Sequence, residues 1–394
     1  MKKRTFLKIL GNATLVVASG GTMSLLSSCR NNEPPKKTKK PIEVTPPKPI
    51  TFDNKNWIWF HPNVKRSADY WKKKFEEIKG AGIDALIPQV YNGVEALFEH
   101  PHPDIETKDN WLEKAIGWAH EAGLEIHAWM WTMPCRNPKI MKAHPDWYAV
   151  NRLGESAHDK PAYVPYYNFL CPCHPEVQTF VEGNVKALAQ IDGLDGVHLD
   201  YVRMPDAILA EALQPKYKIV QDKEYPPYDY SYSNSCREQF KAKTGVDPMD
   251  LKDPTENQAW RQFRYDAVTN LVNGKLVPAA KVGNKKITAA VFPNWESVRQ
   301  QWQQWDLDGF LPMLYHSFYN KEIAWIGEQV QKNRKLLKSP KPIYSGLFVP
   351  KLNPKELAEA ISVSMDSGAN GVSIFTMESM KKAHWPSLKR SLVG

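Results

Sequence analysis

The 394-residue sequence lacks the short motifs that mark nucleotide-dependent and zinc-dependent enzymes. No GxGxxG run follows the first apolar segment and no Walker motif occurs, which argues against a dinucleotide-binding fold and a P-loop. Cys171 and Cys173 have no second CxxC pair or histidine pair at zinc spacing, and His127 and His198 lie in no HxH or HxxE motif. We therefore predict no metal and no cofactor.

The net charge of +9 does not indicate a nucleic-acid-binding surface. Residues 1–50 hold ten basic and two acidic side chains, whereas residues 51–394 hold 42 basic and 41 acidic ones. The body of the chain is close to neutral, so the excess charge belongs to the N-terminal segment. We expect no nucleic-acid partner, and a largely neutral glycan fits this charge balance better.

The composition is that of a globular protein with a large core. Hydrophobic residues make up 42% of the chain, and 14 residues are tryptophan. The body of the chain is long enough for one large α/β domain. Its tryptophans either fill the core or line a carbohydrate cleft, where flat indole faces lie against sugar rings.

The N-terminus reads as an export signal. Lys2, Lys3 and Arg4 form a positive region, and residues 13–26 form an apolar stretch that is too short and too glycine-interrupted to span a membrane. Leu26-Ser-Ser-Cys29 resembles the lipobox of a bacterial lipoprotein, which implies a signal peptide over residues 1–28 and lipidation of the Cys29 thiol. An ordinary signal peptide with an incidental cysteine is the alternative.

Residues 29–50 are rich in lysine and proline and show no apolar periodicity. This composition predicts a disordered tether between the lipid and the domain. The protein is then anchored to a membrane of the bacterial cell envelope and does not span it. No acidic run follows Cys29, which favours a periplasm-facing anchor, and we expect a monomer.

Eight short apolar runs alternate with helical patterns along residues 51–394, which predicts a (β/α)8 TIM barrel. The predicted strands are 56–60, 81–89, 122–131, 193–200, 286–292, 307–315, 342–348 and 370–376. The predicted helices are 67–79, 111–121, 175–189, 258–282, 321–337, 354–366 and 380–392, with only a short helix over 295–305. Long loops follow strand three (132–174) and strand four (205–257). A doubly wound open sheet is the alternative.

Candidate functional side chains follow from this barrel, because barrel enzymes carry their chemistry at the C-terminal ends of the strands. Those ends hold His61, Gln89, Tyr91, Glu95, His127, Trp129, Trp131, His198, Asp200, Tyr201, Arg203, Asn294, Trp295, Glu296, Tyr315 and Glu378.

Asp200 stands out because it closes an otherwise apolar buried strand, where an isolated carboxylate is costly. Arg203 is its expected partner, and a purely structural ion pair is the alternative. Strand-end carboxylates with tryptophan-rich loops are typical of glycoside hydrolases, which need two carboxyl groups around the scissile bond. The second could be Glu95, Glu296 or Glu378.

Several segments resemble the glycosyl hydrolase-like 10 family. They are residues 193–205 (GLDGVHLDYVRMP), 91–98 (YNGVEALF), 126–129 (IHAW) and 312–315 (PMLY). The resemblance implies a TIM-barrel glycosidase of the bacterial envelope that carries Asp200 as a catalytic residue. It favours Glu95 as the second carboxylate, although the family usually has Asp there. Some members are similar to enzymes that cleave peptidoglycan glycan strands, so these strands are a possible substrate.

Together these patterns predict a glycoside hydrolase with Asp200 and Glu95 as the catalytic pair. Arg203, Tyr201 and His198 are expected to orient Asp200. The remaining predicted substrate-binding residues are Gln89, Tyr91, His127, Trp129, Trp131, Asn294, Trp295, Tyr315 and Glu378.

Two other functions stay open: a non-catalytic glycan-binding lipoprotein, and a metal-dependent deacetylase that uses His61, His127 and His198. The sequence also leaves open whether Cys135, Cys171, Cys173 and Cys236 are free thiols or include one disulfide.

Overall fold

A computed structural model of the chain describes Phe52 and residues 54–394. The predicted signal peptide (1–28), lipidation site (Cys29) and tether (29–50) lie outside these residues. Across the described part, none of the helices combines the length and the apolar character that a bilayer crossing requires.

Eight parallel strands form the predicted barrel. They are β1 (Trp57–Phe60), β2 (Ala85–Tyr91), β3 (Glu125–Trp131), β4 (Gly196–Asp200), β5 (Lys286–Val291), β6 (Gly309–Pro312), β7 (Ser345–Phe348) and β8 (Val372–Phe375). Neighbours in the chain are hydrogen-bonded from β1 to β6 and from β7 to β8, and β8 returns to pair with β1. Two parallel bridges, Phe310 to Ile343 and Met313 to Gly346, join β6 to the segment of β7. The (β/α)8 prediction is therefore confirmed.

The alternation of side chains along the strands separates two apolar layers. Trp57 and Trp59 point into the barrel, where they pack with Trp129 and Leu311 in one buried cluster. The alternate residues of the strand, Ile58 and Phe60, face the helices and belong to the larger outer core. The interior is thus filled with large side chains, as in other barrels of this kind.

Ten helices surround the barrel or lie in its loops within the described residues. They are α1 (Ala68–Gly80), α2 (Trp111–Glu121), α3 (Pro138–Ala143), α4 (Pro175–Ala189), α5 (Asn234–Thr244), α6 (Gln258–Leu271), α7 (Val277–Val282), α8 (Ala324–Leu336), α9 (Pro354–Asp366) and α10 (His384–Leu392). Ser67 caps α1 by accepting a hydrogen bond from the Tyr70 N–H, as a serine at that position predicts.

The single helix predicted over 258–282 is interrupted. A π-helical turn, Val272–Leu276, separates α6 from α7. Pro278 in the first turn of α7 has no N–H to donate to the carbonyl four residues earlier, which explains why the regular ladder breaks there.

The two long loops after β3 and β4 are cross-linked. They contain α3 and α5, which the sequence did not predict. A disulfide joins Cys173 to Cys236, with their Cα atoms 5.3 Å apart, whereas Cys135 and Cys171 are buried free thiols. The bridge ties the loop before α4 to α5, so both insertions are held together over the same end of the barrel.

Candidate active site

Asp200 is the last residue of β4, and its carboxyl group accepts two hydrogen bonds. The indole Nε1–H of Trp129 donates to Oδ2 over 3.0 Å, and the backbone N–H of Tyr201 donates to Oδ1 over 2.7 Å. Trp131 on β3 lies opposite Asp200 in the strand register, so both belong to the same end of the barrel. The β3–β4 pair therefore positions the carboxyl at the C-terminal face.

The backbone turns sharply immediately after this carboxyl. Tyr201 has a φ of +53°, in the left-handed region that a bulky side chain rarely adopts. Its side chain packs between the rings of Trp131 and Phe169. Surrounding packing holds the strained conformation, and strain of this kind is concentrated at functional sites.

Burial raises the pKa of Asp200 from 3.8 to about 6. The Tyr201 N–H, the Arg203 charge and the Trp129 indole each stabilise the carboxylate and oppose that rise. A carboxyl group with a pKa near the working pH can both donate and accept a proton. Asp200 thus has the property required of a general acid in glycoside hydrolysis.

A cavity of about 390 Å³ opens above Asp200. Predicted site residues that line it are Gln89, Trp129, Trp131, Asp200, Tyr201, Arg203 and Tyr315. Lining residues that the sequence reasoning missed include Tyr163, Tyr166, Tyr167, Asp206, Lys216, Tyr217 and Phe318. The tyrosine-rich stretch 161–167 in the first long loop was a signal for them. Aromatic walls of this density suit sugar rings.

Arg203 does not pair with Asp200, contrary to the prediction. Its guanidinium donates to the Asp206 carboxylate over 3.1 Å and to the Tyr167 hydroxyl over 3.1 Å, and all three side chains are buried. Asp206 follows three residues later and is reached within one tight turn. Trp129 takes the orienting role that had been expected of Arg203.

His198 lies inside the barrel, one layer below Asp200, and does not line the cavity. Its Nε2 accepts the indole N–H of Trp59 at 3.2 Å, so its Nδ1–H donates to the Thr288 hydroxyl at 2.9 Å. Burial lowers its pKa well below the ordinary value. The neutral ring is a structural hydrogen-bonding group whose partners are Trp59 and Thr288, contrary to the prediction that His198 orients Asp200.

His127 does not line the cavity either, contrary to its prediction as a substrate-binding residue. It is fully buried near the start of β3, and its Nε2 lies 3.0 Å from Glu125. The start of a barrel strand lies opposite the face that holds Asp200. The structure does not support the metal-dependent deacetylase, because His61, His127 and His198 do not lie close enough together to share a metal ion. Among the described residues, the group that does is Cys171, Cys173 and Cys236.

Glu95 lies in an adjoining pocket, which shares His61 and Gln89 with the Asp200 cavity. Its carboxylate accepts a hydrogen bond from Lys108 at 2.6 Å. A small sheet of two-residue strands, Glu95–Ala96 and Glu106–Thr107, brings the lysine beside it. Tyr91 lines the same adjoining pocket.

The other two candidate carboxylates also lie outside the lining of the Asp200 cavity. Glu378 accepts the backbone N–H of His61 at 2.7 Å, and this contact contributes to a lowered pKa despite partial burial. Glu296 is exposed on the short helix after β5. Asp206 is the second carboxylate in the lining, and the Arg203 ion pair compensates its charge.

Asn294 and Trp295 lie beside the cavity rather than in its lining. Asn294 accepts a hydrogen bond from the hydroxyl of Tyr319, which does line the cavity, at 2.8 Å. Trp295 packs edge-on against Tyr265, with ring centroids 5.1 Å apart. Asn294 therefore supports the wall through Tyr319, and Trp295 packs behind it.

Three donor groups in the cavity lining have no hydrogen-bond partner. They are Nε2 of Gln89, Nε1 of Trp131 and the hydroxyl of Tyr315, and all three atoms are buried. A buried donor without an acceptor costs about 1–3 kcal/mol. The walls of the cavity therefore include three side chains whose buried donors have no partner among the described residues.

Solved structures with a similar fold include a glycoside hydrolase domain and the catalytic domain of a β-amylase. The glycoside hydrolase domain of PgaB (BpsB) from Bordetella bronchiseptica matches with a TM-score of 0.67 at 12% identity, over 86% of this chain and 98% of that domain. The catalytic domain of β-amylase from Paenibacillus polymyxa matches with a TM-score of 0.60 at 11% identity, over 87% and 99%. At such identities these matches establish the fold alone.

No curated protein matches the sequence. The profile of the family described as Glycosyl hydrolase-like 10 matches residues 51–361, which is most of the chain and includes the whole cavity around Asp200 apart from Phe375. The chain therefore belongs to the glycosyl hydrolase-like 10 family.

Proposed function

We propose that the protein is a glycoside hydrolase that cleaves O-glycosidic bonds in a polysaccharide or glycan, with Asp200 as its general acid. The observation that carries this proposal is the Asp200 carboxyl at the floor of an aromatic cavity, with its pKa raised to about 6. A protonated carboxyl can transfer its proton to the leaving oxygen, and the aromatic walls can hold the sugar rings.

Peptidoglycan glycan strands are the substrate that we favour. The lipoprotein-like N-terminus and the Lys- and Pro-rich tether support a location in the bacterial envelope, facing the periplasm, where such strands occur. The near-neutral body and the aromatic cavity support a glycan over a strongly charged polymer. Replacing Cys29 with Ser tests the location, since the variant should lose labelling by radioactive palmitate and leave the membrane fraction.

If Asp200 and Glu95 are the two catalytic carboxyl groups, as the sequence predicts, the substrate must be long enough to reach both. Because Glu95 lies in the adjoining pocket and is bound to Lys108, it can act only on a sugar that extends past His61 and Gln89. Activity of E95Q tests this pairing directly: a loss as large as that of D200N supports the pair, and a small loss removes Glu95 from it.

The decisive experiment compares the parent and D200N on purified glycan strands, with products separated by mass. Removing a general acid lowers the rate about 100- to 10,000-fold. D200N should therefore bind the strands and release almost no fragments. Equal rates for the two proteins would remove Asp200 from the reaction.

A non-catalytic glycan-binding protein is the second candidate. The observation that favours it is the position of Glu95, Glu296 and Glu378, none of which lines the Asp200 cavity. This alternative predicts that the parent binds glycan strands without releasing fragments and that D200N binds them equally well.

A further inference from the structure

The carboxylates of the cavity lining are unequally available. Asp206 is 4% exposed and accepts hydrogen bonds from Arg203 and from the Tyr167 hydroxyl, so its charge is already compensated. Asp200 accepts two hydrogen bonds from neutral donors and faces the cavity. Of the described residues that line this cavity, Asp200 therefore supplies the one carboxyl available for proton transfer.

A retaining glycosidase with two carboxyl groups needs the second about 5–5.5 Å from the first, where it attacks the anomeric carbon. Asp206 occupies the cavity lining but is tied to a buried arginine. Substrates can instead supply their own nucleophile, as in substrate-assisted glycosidases. The group that does so is the 2-acetamido group of the sugar, whose carbonyl oxygen reaches the neighbouring anomeric carbon.

The surroundings of Tyr315 match an acetamido group. Its side chain lines the cavity, and its buried hydroxyl has no hydrogen-bond partner among the described residues. Its ring lies 5.1 Å from Phe348 and 5.8 Å from Phe375, measured between centroids. One unsatisfied O–H donor among apolar rings suits a ligand group that joins a carbonyl to a methyl, and a sugar hydroxyl offers no methyl.

We propose that the sugar bound above Asp200 carries a 2-acetamido group and that the carbonyl oxygen of this group is the nucleophile of the reaction. This inference rests on the proposed glycosidase function and specifies its substrate class as glycans of N-acetylated 2-amino sugars. Tyr315 positions the acetamido group, and Gln89 and Trp131 donate to acceptors on the same sugar.

The reaction balances with Asp200 as the one proton carrier. In the first step, the acetamido oxygen forms a bond to the anomeric carbon, the bond to the leaving oxygen breaks, and Asp200 transfers its proton to that oxygen. The sugar is then a cyclic oxazolinium ion. In the second step, water attacks the anomeric carbon, gives a proton to Asp200 and opens the ring. The acetamido group is restored, and the anomeric configuration is retained.

The test varies the acyl group on one glycan. Glycan strands are de-N-acetylated and divided into three portions: one is re-acetylated, one is trifluoroacetylated and one keeps its free amines. The fluorinated carbonyl is a poorer nucleophile of nearly equal size. We expect kcat to fall about 100-fold or more on the trifluoroacetylated strands and activity to vanish on the free amines, while the re-acetylated strands match untreated ones.

Two further measurements sharpen the test. The product formed first should have the anomeric configuration of the substrate, as read by NMR. A thiazoline analogue of the cyclic intermediate should inhibit the parent competitively, and Y315F should weaken that inhibition at least tenfold while it preserves the ring contacts.

The outcomes separate this inference from the proposed function. Equal cleavage of the acetylated and trifluoroacetylated strands, or an inverted product, would overturn the acetamido mechanism and leave a glycosidase dependent on Asp200. If the parent cleaves no strands of any kind, both the function and the mechanism fail.

Discussion

Neutralising Asp200 should make the protein less sensitive to rising pH. The native carboxyl has a pKa of about 6, against 3.8 for the ordinary group. Between these values the native state keeps a proton that the unfolded chain has released. The stabilisation from this group is therefore fully present below about pH 3.8 and is lost as the pH rises to about 6. At about 1.36 kcal/mol per pKa unit, the loss is at most about 3 kcal/mol.

D200N removes this dependence because an amide does not titrate. One of the two donors, Trp129 or Tyr201, then faces the amide N–H₂ group, which costs about 1–3 kcal/mol at every pH. That cost lowers the free energy of unfolding of D200N by the same amount at every pH, so it does not change how this free energy depends on pH. Between pH 4 and pH 7, the free energy of unfolding of the parent should fall relative to that of D200N by about 2–3 kcal/mol.

Urea unfolding followed by tryptophan fluorescence measures this difference at pH 4, 5.5 and 7. E359Q is the matched control, since it removes an exposed carboxylate on α9 that water solvates in the folded and unfolded chain alike. It should follow the parent at all three values. If the D200N and parent curves stay parallel, Asp200 is ionised throughout this range, and its role as a general acid is refuted.

Three further changes have defined outcomes. In W129F, loss of the indole donor should raise the pKa of the Asp200 carboxyl further. If Asp200 is the general acid that we propose, the alkaline limb of the kcat/KM profile moves to higher pH, and an unmoved limb contradicts this contact. R203M leaves the buried Asp206 carboxylate without its cation and should lower the free energy of unfolding by about 3–5 kcal/mol, whereas a loss below about 1 kcal/mol refutes the pair. C236A opens a cross-link to Cys173 that spans 63 residues and should lower the free energy of unfolding in urea by about 4 kcal/mol. A reducing agent should lower the parent to the same value, and a parent that it leaves unchanged contradicts the bridge.

The barrel was predictable because each strand is a short, largely buried apolar run and a helical pattern separates most of the runs. The helix bounds 111–121, 175–189 and 354–366 agree with α2, α4 and α9 to the residue. Pro175 and Pro354 begin α4 and α9, and Asn110 precedes α2. The break between α6 and α7 was missed because apolar periodicity continues through it. A missing hydrogen bond, and not a change of pattern, divides that segment.

Asp200 was predictable as a site residue because a carboxyl at the end of an apolar strand has few structural explanations. Its partners were not predictable from sequence distance. Arg203 is three residues from both Asp200 and Asp206, and only the turn after β4 decides that it bonds to Asp206. Trp129 became the hydrogen-bond donor to Asp200 through the register of β3 and β4. In that register Trp129 lies beside His198, two residues before Asp200.

The Asp200 carboxyl and the cavity walls come from different parts of the barrel. Asp200 ends β4, and the pairing of β4 with β3 fixes its position. Tyr163 and Tyr166 come from the loop after β3, and Tyr217 comes from the loop after β4. Those loops are cross-linked near α4 and α5. The loop after β4 is also held by ion pairs of its Glu224 and Asp229 with the buried Arg264 and Arg299.

This division has a consequence for variants. Replacing a wall tyrosine changes what contacts the sugar while the hydrogen bonds to the Asp200 carboxyl stay intact, because those bonds come from β3 and from the Tyr201 backbone. Wall substitutions should therefore change KM and substrate preference more than the pH profile. Substitutions at Trp129 should do the reverse, since this side chain contacts the ionising group itself.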